Sequence, residues 1–242
     1  MAIDKFYDIG RNIDAIKVKI LDACKRSNRS IDSVKLIAVS KTVSPEFIKV
    51  AYEHGIKDFG ENYVQEMSKK VELLPRDIRW HFIGHLQTNK IKYLIKIASL
   101  IHTVYKVEHL LEVEKRCEKL GITAELLIEV NIGNEVNKSG IPPSKVEELV
   151  KKSLDFKYLK IKGLMCIPPI GGPEETRKFF KNLRFIKDCI NNNLGSELLT
   201  ELSMGMSSDF EVAIEEGATM IRIGTAIFGE RKRGGYNEDE SN

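Results

Sequence analysis

The segment KLIAVSK, residues 35–41, is a short apolar run that ends in Ser40 and Lys41. An apolar run of this length, followed by a longer stretch with helical periodicity, is typical of a buried strand in a parallel sheet. The same alternation recurs along the chain, and a repeated βαβα order predicts a mainly parallel sheet of about eight strands. The eight apolar runs begin at Lys35, Ile56, Arg79, Ser99, Ala124, Ile161, Leu198 and Thr219.

Amphipathic segments separate these runs and predict helices. Ser44 followed by Pro45 resembles an N-cap with proline in the first helical position, and Gly55 and Gly121 lie where helix C-caps are expected. One more helix is predicted before the first strand, over residues 3–26. The helices predicted between strands include those over residues 45–54, 88–97, 107–120, 143–153, 174–191 and 208–216.

Eight strands and eight helices in this order fit a (β/α)₈ barrel of the TIM type, with the additional N-terminal helix completing the ring. An open doubly wound sheet would produce the same alternation, and periodicity alone does not separate the two. The length of 242 residues is usual for one such barrel. We expect a single domain over residues 1–230 and a flexible polar tail over residues 231–242.

Composition excludes several classes of protein. The 38 basic residues exceed the 35 acidic ones by three, spread along the chain, which argues against nucleic acid as a partner. No apolar stretch is long enough for a signal peptide or a membrane span, so we expect a cytoplasmic protein with no membrane partner. The four cysteines form no C-x-x-C pair and are expected to be free buried thiols, and the spacing of His81, His85 and Glu61 does not favour zinc.

Lys41 is the first candidate for chemistry, because active sites of these barrels lie at the carboxyl ends of the strands. A lysine that is desolvated there loses its proton and becomes an amine nucleophile for an aldehyde. The alternative is a lysine whose ammonium group simply extends to solvent at the end of a strand.

Two further segments indicate a binding site for a phosphate group. In SMGMSSDFE, residues 203–211, Ser208 and Glu211 predict a capping box, which would set Ser207 and Ser208 at the free N–H groups of a helix. In RIGTAIFG, residues 222–229, Gly224 permits close backbone approach and Thr225 adds a hydroxyl donor. A capped helix and a glycine turn without a ligand remain the alternative.

Arg222 lies between Ile221 and Ile223 and needs a partner if its side chain is buried. A buried salt bridge to Glu129 or Glu201 is one solution, and a role in a polar site is the other. Weaker candidates follow the second, third and fifth predicted strands: Asn62, His85 and Asn131.

The candidate residues belong to long motifs in a fixed order. The motifs are IAVSK at 37–41, FGENYVQE at 59–66, WHFIGHLQTNK at 80–90, GLM at 163–165, LSMGMSSD at 202–209 and IRIGTAIFG at 221–229. Together these motifs strongly resemble the pyridoxal phosphate homeostasis proteins, and the similarity runs from about Lys35 to Gly229.

The resemblance implies a barrel like the N-terminal domain of alanine racemase, with pyridoxal 5′-phosphate held by Lys41 as a Schiff base. It also implies that Arg222 faces the pyridine nitrogen of the cofactor. The sequence departs from the family pattern at Tyr105, where an aspartate is expected, and at Cys166, where a hydroxyl or small residue is expected. The resemblance places Ser207, Gly224 and Thr225 around the phosphate, and Asn62, His85, Met165 and Met204 along the pocket.

The resemblance further implies a carrier of the cofactor rather than an enzyme. Racemases of similar fold take a tyrosine base from a separate β domain, and no segment after Gly229 encodes one. We expect a monomer whose partners are pyridoxal phosphate and apo-enzymes that need it. The alternatives are a monomeric amino-acid racemase or decarboxylase using a residue such as His85, and a barrel enzyme for a phosphorylated substrate without cofactor.

Overall fold

The computed structural model describes residues 2–230, and the surroundings of side chains from Asp8 onward. All strands are parallel and pair in chain order, and the first strand also pairs with the last, so the sheet closes into a barrel. The predicted barrel is therefore confirmed over an open sheet. The strands are β1 Lys35–Val39, β2 Asp58–Glu61, β3 Arg79–Phe82, β4 Leu100–Val104, β5 Ala124–Glu129, β6 Leu159–Met165, β7 Glu201–Ser203 and β8 Met220–Ile223.

Helices cover the outside of the barrel. The N-terminal helix packs against the helices that begin at Pro45, Phe210 and Thr225, and so completes the ring as predicted. Short 3₁₀ turns precede the fourth and sixth helices, so the fourth helix is shorter than the predicted helix at 88–97. The helices are α1 Ala2–Arg26, α2 Pro45–Glu53, α3 Val64–Leu73, α4 Ile91–Leu94, α5 Val107–Leu120, α6 Val146–Ser153, α7 Pro173–Leu194, α8 Phe210–Glu215 and α9 Thr225–Phe228.

No bounds were predicted for helix α3, and its buried face explains why. Glu66 and Lys70 are buried there beside Val64 and Met67, so charged residues stand at positions where an amphipathic helix normally carries apolar ones. The boundary signals were more reliable. Ser44 is the N-cap of α2, and Gly121 ends α5 in the left-handed conformation with φ 66°.

The apolar core has two parts. Most of it lies between the strands and the helices, whereas a small cluster fills part of the barrel interior. Polar side chains occupy much of the remaining interior, including His81, His102, Ser203 and Arg222, all of which are buried. This polar filling lies below the carboxyl ends of the strands. The inner apolar cluster consists of Ile37, Leu100, Leu127, Met165 and Met220.

Three further predictions concern membrane-spanning helices, the cysteines and the C-terminal tail. Within residues 2–230, no helix combines the length and apolar character needed to cross a bilayer. All four cysteines are free; Cys24, Cys117 and Cys166 are buried as predicted, and Cys189 is partly exposed. The predicted tail, residues 231–242, lies outside the described residues.

Candidate functional site

Lys41 lies at the carboxyl end of the barrel, two residues beyond the end of β1, and is half-buried. Val39 pairs with Gly60 of β2, so continuing that register by two residues sets Lys41 level with Asn62. On its other side β1 pairs with β8, which ends immediately before Gly224. The topology therefore brings three of the predicted site positions to neighbouring strand ends.

A buried group of charged residues lies beneath Lys41. The Nζ atom of Lys70 donates to the backbone oxygen of Ser40 and to one carboxylate oxygen each of Glu61 and Glu66, all at 2.7 Å. All four residues are buried, and Ser40 and Glu61 are fully inaccessible. We call Ser40, Glu61, Glu66 and Lys70 the Lys70 cluster.

The Lys70 cluster holds the backbone on both sides of Lys41. On one side, the hydroxyl of Ser40 donates to Glu61 at 2.6 Å. On the other, the N–H of Thr42 donates to Glu66 at 2.7 Å, and Thr42 adopts a left-handed φ of 60° that is costly for a β-branched residue. Such a conformation persists only where the surroundings hold it. The cluster therefore fixes the loop that presents Lys41.

The Lys70 cluster contains two carboxyl groups but one ammonium group. Burial raises the pKa of Glu61 to about 7, although the positive charge of Lys70 opposes the rise. One oxygen of Glu61 and one of Glu66 have no hydrogen-bond partner within the described residues. Buried charge of this kind is stable only while its partners stay in place.

Arg222 lies inside the barrel and is 4% exposed. Its guanidinium donates to the hydroxyl of Ser203 at 2.6 Å and to the backbone oxygen of Cys166 at 2.9 Å. Because Cys166 directly follows β6, the guanidinium reaches the carboxyl end of the barrel. Burial lowers the pKa of Arg222, which remains a cation at neutral pH because an arginine titrates far above it.

Of the two solutions considered for Arg222, the buried salt bridge to Glu129 or Glu201 is not formed. Among the described residues no carboxylate lies within ion-pair distance of Arg222. Glu201 instead accepts a hydrogen bond from the hydroxyl of Thr219, while neutral acceptors satisfy the guanidinium.

Buried side chains connect Arg222 to the opposite end of the barrel. The Ser203 hydroxyl lies 2.9 Å from Nδ1 of His102. Nε2 of His102 lies 2.9 Å from Nδ1 of His81, and Nε2 of His81 lies 2.9 Å from a carboxylate oxygen of Asp58. Asp58 is the first residue of β2, at the amino end of the strands. We call Asp58, His81, His102, Ser203 and Arg222 the histidine chain.

From the sequence, Glu129, the last residue of β5, is a candidate only as a partner for Arg222. It is buried, and one of its carboxyl oxygens has no hydrogen-bond partner among the described residues. Burial raises its pKa to about 7, with the charge of Arg222 opposing the rise. Burial and the charge of Glu129 also raise the pKa of Tyr105, which directly follows β4, the strand paired with β5. The sequence signal that could have identified Glu129 as a site candidate is its carboxyl group at the end of an apolar strand.

The segments after β7 and β8 meet at a second part of the mouth. The hydroxyl of Ser207 accepts a hydrogen bond from the N–H of Ala226 at 3.4 Å, and Thr225 is exposed at the start of α9. The N–H groups of Ser207, Gly224 and Thr225 donate no hydrogen bond within residues 2–230. Two hydroxyls and several open N–H groups are a suitable donor set for an anion.

The predicted capping box at Ser208 and Glu211 is wrong. Helix α8 begins at Phe210 with Asp209 as its N-cap, and Ser208 is an exposed residue of the preceding turn. The carboxylate of Asp209 accepts from the N–H of Met206 at 2.7 Å, which closes that turn before the helix starts. Glu211 pairs with Arg26 of α1 instead. The anion donors therefore come from the turn rather than from the end of α8.

His85 and Asn62 lie near the rim of the mouth. His85 is exposed, and its Nδ1 lies 3.1 Å from the hydroxyl of Ser139 in the loop after β5. Asn62 is half-buried, and its backbone oxygen would lie 2.0 Å from a Cβ atom at residue 84. Only a glycine fits there, so Gly84 lets the loops after β2 and β3 approach each other.

Three other candidate residues, Met165, Met204 and Asn131, lie in surroundings that differ from those of His85 and Asn62. Met165 belongs to the inner apolar cluster, whereas Met204 is fully buried in the apolar layer between strands and helices. Met204 is thus not brought together with the residues at the mouth. The amide of Asn131 bonds the backbone of Glu135 and Lys138, so it shapes its own loop. No group of three or more potential metal ligands occurs in the described part of the chain.

The mouth thus combines an amine at Lys41, a donor set for an anion around Ser207 and Thr225, and a buried cation at Arg222. An amine adds to an aldehyde, and the donor set suits a phosphate group. These residues fit a phosphorylated aldehyde.

Comparison with known proteins first defines the class. The family model for the alanine racemase N-terminal domain matches residues 12–232. An alanine racemase of Clostridium difficile 630 is 14% identical with a TM-score of 0.71, covering 93% of this chain and 57% of that one. At this identity the likeness concerns the fold alone.

Closer relatives define the family. A pyridoxal phosphate homeostasis protein of Aquifex aeolicus is 48% identical over 216 residues, covering 88% of this chain and 94% of the relative. One of Schizosaccharomyces pombe is 41% identical over 228 residues, 90% of this chain and 91% of the relative. PipY of Synechococcus elongatus, solved with PLP bound, is 33% identical with a TM-score of 0.79, covering 91% of this chain and all of that one. This chain belongs to the family of pyridoxal phosphate homeostasis proteins.

Proposed function

We propose that this protein binds pyridoxal 5′-phosphate through a Schiff base on Lys41 and serves in the intracellular homeostasis and delivery of the cofactor. The observation that carries the proposal is the loop of Lys41, whose backbone is held on both sides by the buried Lys70 cluster. PipY, one third identical to this chain, has a structure with PLP bound. An amine held in a fixed position at the barrel mouth is what covalent retention of an aldehyde requires.

The other contacts are those that the resemblance to the family implies, and the open donors at the mouth support the phosphate contacts among them. Ser207, Gly224 and Thr225 would hold the phosphate, and Arg222 would face the pyridine nitrogen. A guanidinium at that position disfavours protonation of the ring nitrogen, because two adjacent positive charges repel. The cofactor supplies an electron sink when bound, and an unprotonated ring is a weaker one. This arrangement favours a carrier over an efficient enzyme.

The direct test is the Lys41→Ala variant, compared with Lys90→Ala in the loop after β3. Purified wild-type protein incubated with pyridoxal phosphate should gain yellow absorbance and, after borohydride reduction, the mass of one cofactor on Lys41. Lys41→Ala should lose the reducible adduct and keep the wild-type circular dichroism and melting temperature, whereas Lys90→Ala should behave like wild type. A reducible adduct that persists in Lys41→Ala would refute Lys41 as the binding residue, and Lys138 would be examined next.

Delivery is tested separately. Loaded protein mixed with an apo-enzyme that needs the cofactor should restore that enzyme's activity, and borohydride-reduced protein should not. Equal reactivation by both would show that free cofactor, not this protein, is the source.

Glu129 favours a second candidate, a monomeric racemase or decarboxylase of amino acids. A buried carboxyl group with a pKa of about 7 at the mouth has the protonation behaviour of a general acid or base. A panel of amino acids analysed by chiral chromatography decides between the two. The carrier predicts negligible turnover, and turnover that is lost in Glu129→Gln or His85→Ala would make this protein an enzyme.

A further inference from the structure

Arginine can only donate hydrogen bonds, and this fact gives the histidine chain a direction. Arg222 donates to the Ser203 hydroxyl, whose own proton is then available for Nδ1 of His102 at 2.9 Å. If Nδ1 of His102 accepts, its Nε2 carries the proton and donates to Nδ1 of His81. Nε2 of His81 in turn carries a proton and donates to Asp58.

The opposite direction requires an additional buried charge. If Nδ1 of His102 donated to Ser203, then Nδ1 of His81 would have to donate to His102. Nε2 of His81 would still face Asp58, so either His81 would be a cation or Asp58 would be protonated. Burial lowers the pKa of both histidines, with Asp58 opposing it at His81. Burial would raise the pKa of Asp58, but hydrogen bonds from His81 and Arg79 outweigh it and lower the pKa to about 2.

The charges at the two ends favour the same direction. Arg222 is a cation at one end and Asp58 an anion at the other, so every donor points away from the positive charge and toward the negative one. Hydrogen bonds aligned in this way polarise and strengthen one another in a medium of low dielectric constant. Ser203 and His102 are fully inaccessible and His81 is 2% exposed, so solvent does not compete for these groups.

We infer that Asp58, His81, His102 and Ser203 are positioning residues that hold the guanidinium of Arg222 through a one-directional chain of hydrogen bonds running the length of the barrel. In this chain both imidazoles are neutral and protonated at Nε2. A carboxylate at the amino end of the strands thereby fixes a cation at the carboxyl end. The inference goes beyond the proposed function, and its first test needs no cofactor.

Imidazole tautomers are observable by two-bond ¹H–¹⁵N correlation spectra of ¹⁵N-labelled, cofactor-free protein. The chain contains five histidines, so His81 and His102 can be assigned by substituting each in turn. At neutral pH we expect both rings to show an unprotonated Nδ1 and a protonated Nε2. A protonated Nδ1 on either ring, or a doubly protonated ring, would overturn the inference.

Two pairs of variants separate the chain from general structural damage. The threonine of Ser203→Thr and the valine of Ser203→Val have nearly the same shape, but only threonine keeps the hydroxyl. Asp58→Leu removes the final acceptor, whereas Arg79→Gln removes only the partner of Asp58 that is outside the chain. We expect Ser203→Val and Asp58→Leu to give mixed tautomers at His102, and Ser203→Thr and Arg79→Gln to keep the single form. A single unchanged tautomer at His102 in Asp58→Leu would contradict transmission along the chain.

The effect on Arg222 is measured by release of pyridoxal phosphate, and this arm rests on the proposed function. Loss of one hydrogen bond that positions the guanidinium should speed release by about 3- to 10-fold in Ser203→Val relative to Ser203→Thr. Equal release rates would refute the positioning role. If wild-type protein retains no pyridoxal phosphate, the proposed function fails, while the tautomer spectra still decide the direction of the chain.

Discussion

Lys41 and Arg222 lie at the same mouth of the barrel but rest on buried networks of different kinds. The Lys70 cluster packs two carboxyl groups and an ammonium group into one contact, with no neutral side chain between Lys70 and either glutamate. The histidine chain separates its two charges by a serine and two imidazoles. The first network therefore depends on charge pairing, and the second on neutral hydrogen bonds. Removing Lys70 should uncover buried carboxylates in the first, whereas removing His102 should uncover only neutral polar groups in the second.

The largest effect is expected for Lys70→Met, which leaves Glu61 and Glu66 without their cation. Removing one partner of a buried ion pair costs about 3–5 kcal/mol of the free energy of unfolding. Urea unfolding at neutral pH measures this loss, with Lys69→Met on the exposed face of α3 as the control. A loss below about 1 kcal/mol would show that the cluster is not held by charge.

Glu129 belongs to neither network and has no ion-pair partner among the described residues. Ionisation of its buried carboxyl group should therefore lower the stability of the fold as the pH rises. Its pKa of about 7 in the fold lies above the 4.5 of a free glutamate, so the stability it contributes is complete below about pH 4.5 and declines as pH rises through about 7. Since each pH unit is worth about 1.4 kcal/mol, Glu129→Gln should gain up to about 3 kcal/mol on wild type between pH 5 and pH 8. Thermal unfolding across this range measures the gain, and parallel curves for the two proteins would refute it.

A smaller effect is expected for His102→Leu, which interrupts the histidine chain. The variant leaves the Ser203 hydroxyl and Nδ1 of His81 without their partner, at a cost of about 1–3 kcal/mol. Denaturant unfolding measures it beside His54→Leu, at an exposed histidine at the end of α2. A cost that matched or exceeded that of Lys70→Met would remove the distinction between the two networks.

The smallest effect is expected for Arg79→Gln. Arg79 binds Asp58 through two hydrogen bonds, but its side chain is 53% exposed. Exposed ion pairs contribute about 0–1 kcal/mol, so the free energy of unfolding should change by less than about 1 kcal/mol. A larger loss would mean that the histidine chain needs this arginine to keep Asp58 ionised.

The strands and most helices were predictable because apolar runs and helical periodicity are local properties of the sequence. Helix α3 was missed because its buried face carries Glu66 and Lys70, whose partners come from the loops and strand that precede it. The position of Lys41 after the first strand was predicted, but not the buried carboxylates that hold its loop. Those contacts exist only once β1, β2 and α3 are packed.

The partners of Arg222 show a second limit. A buried arginine predicts acceptors, and charge complementarity suggests a glutamate, yet the acceptors are the Ser203 hydroxyl and a backbone oxygen at Cys166. Backbone oxygens are not visible as candidates in a sequence, since every residue has one. Likewise, Asp209 rather than Ser208 is the N-cap of α8, and its carboxylate accepts from the N–H of Met206 in the preceding turn instead of capping the helix. Which of several neighbouring acceptors forms the hydrogen bond depends on three-dimensional geometry, and local sequence patterns do not show that geometry.

Pairing of β1 with β8 has a consequence for how the protein matures during synthesis. Leu36 pairs with Ile221, so the contact that closes the sheet joins segments almost at opposite ends of the described chain. Contacts so distant in sequence form late, because a long loop must close before they stabilise anything. A nascent chain still lacking β8 has its lysine but neither the arginine nor the turn at Gly224. Capture of the cofactor should therefore begin only after β8 has been synthesised and has paired with β1, which makes cofactor retention a report of barrel closure.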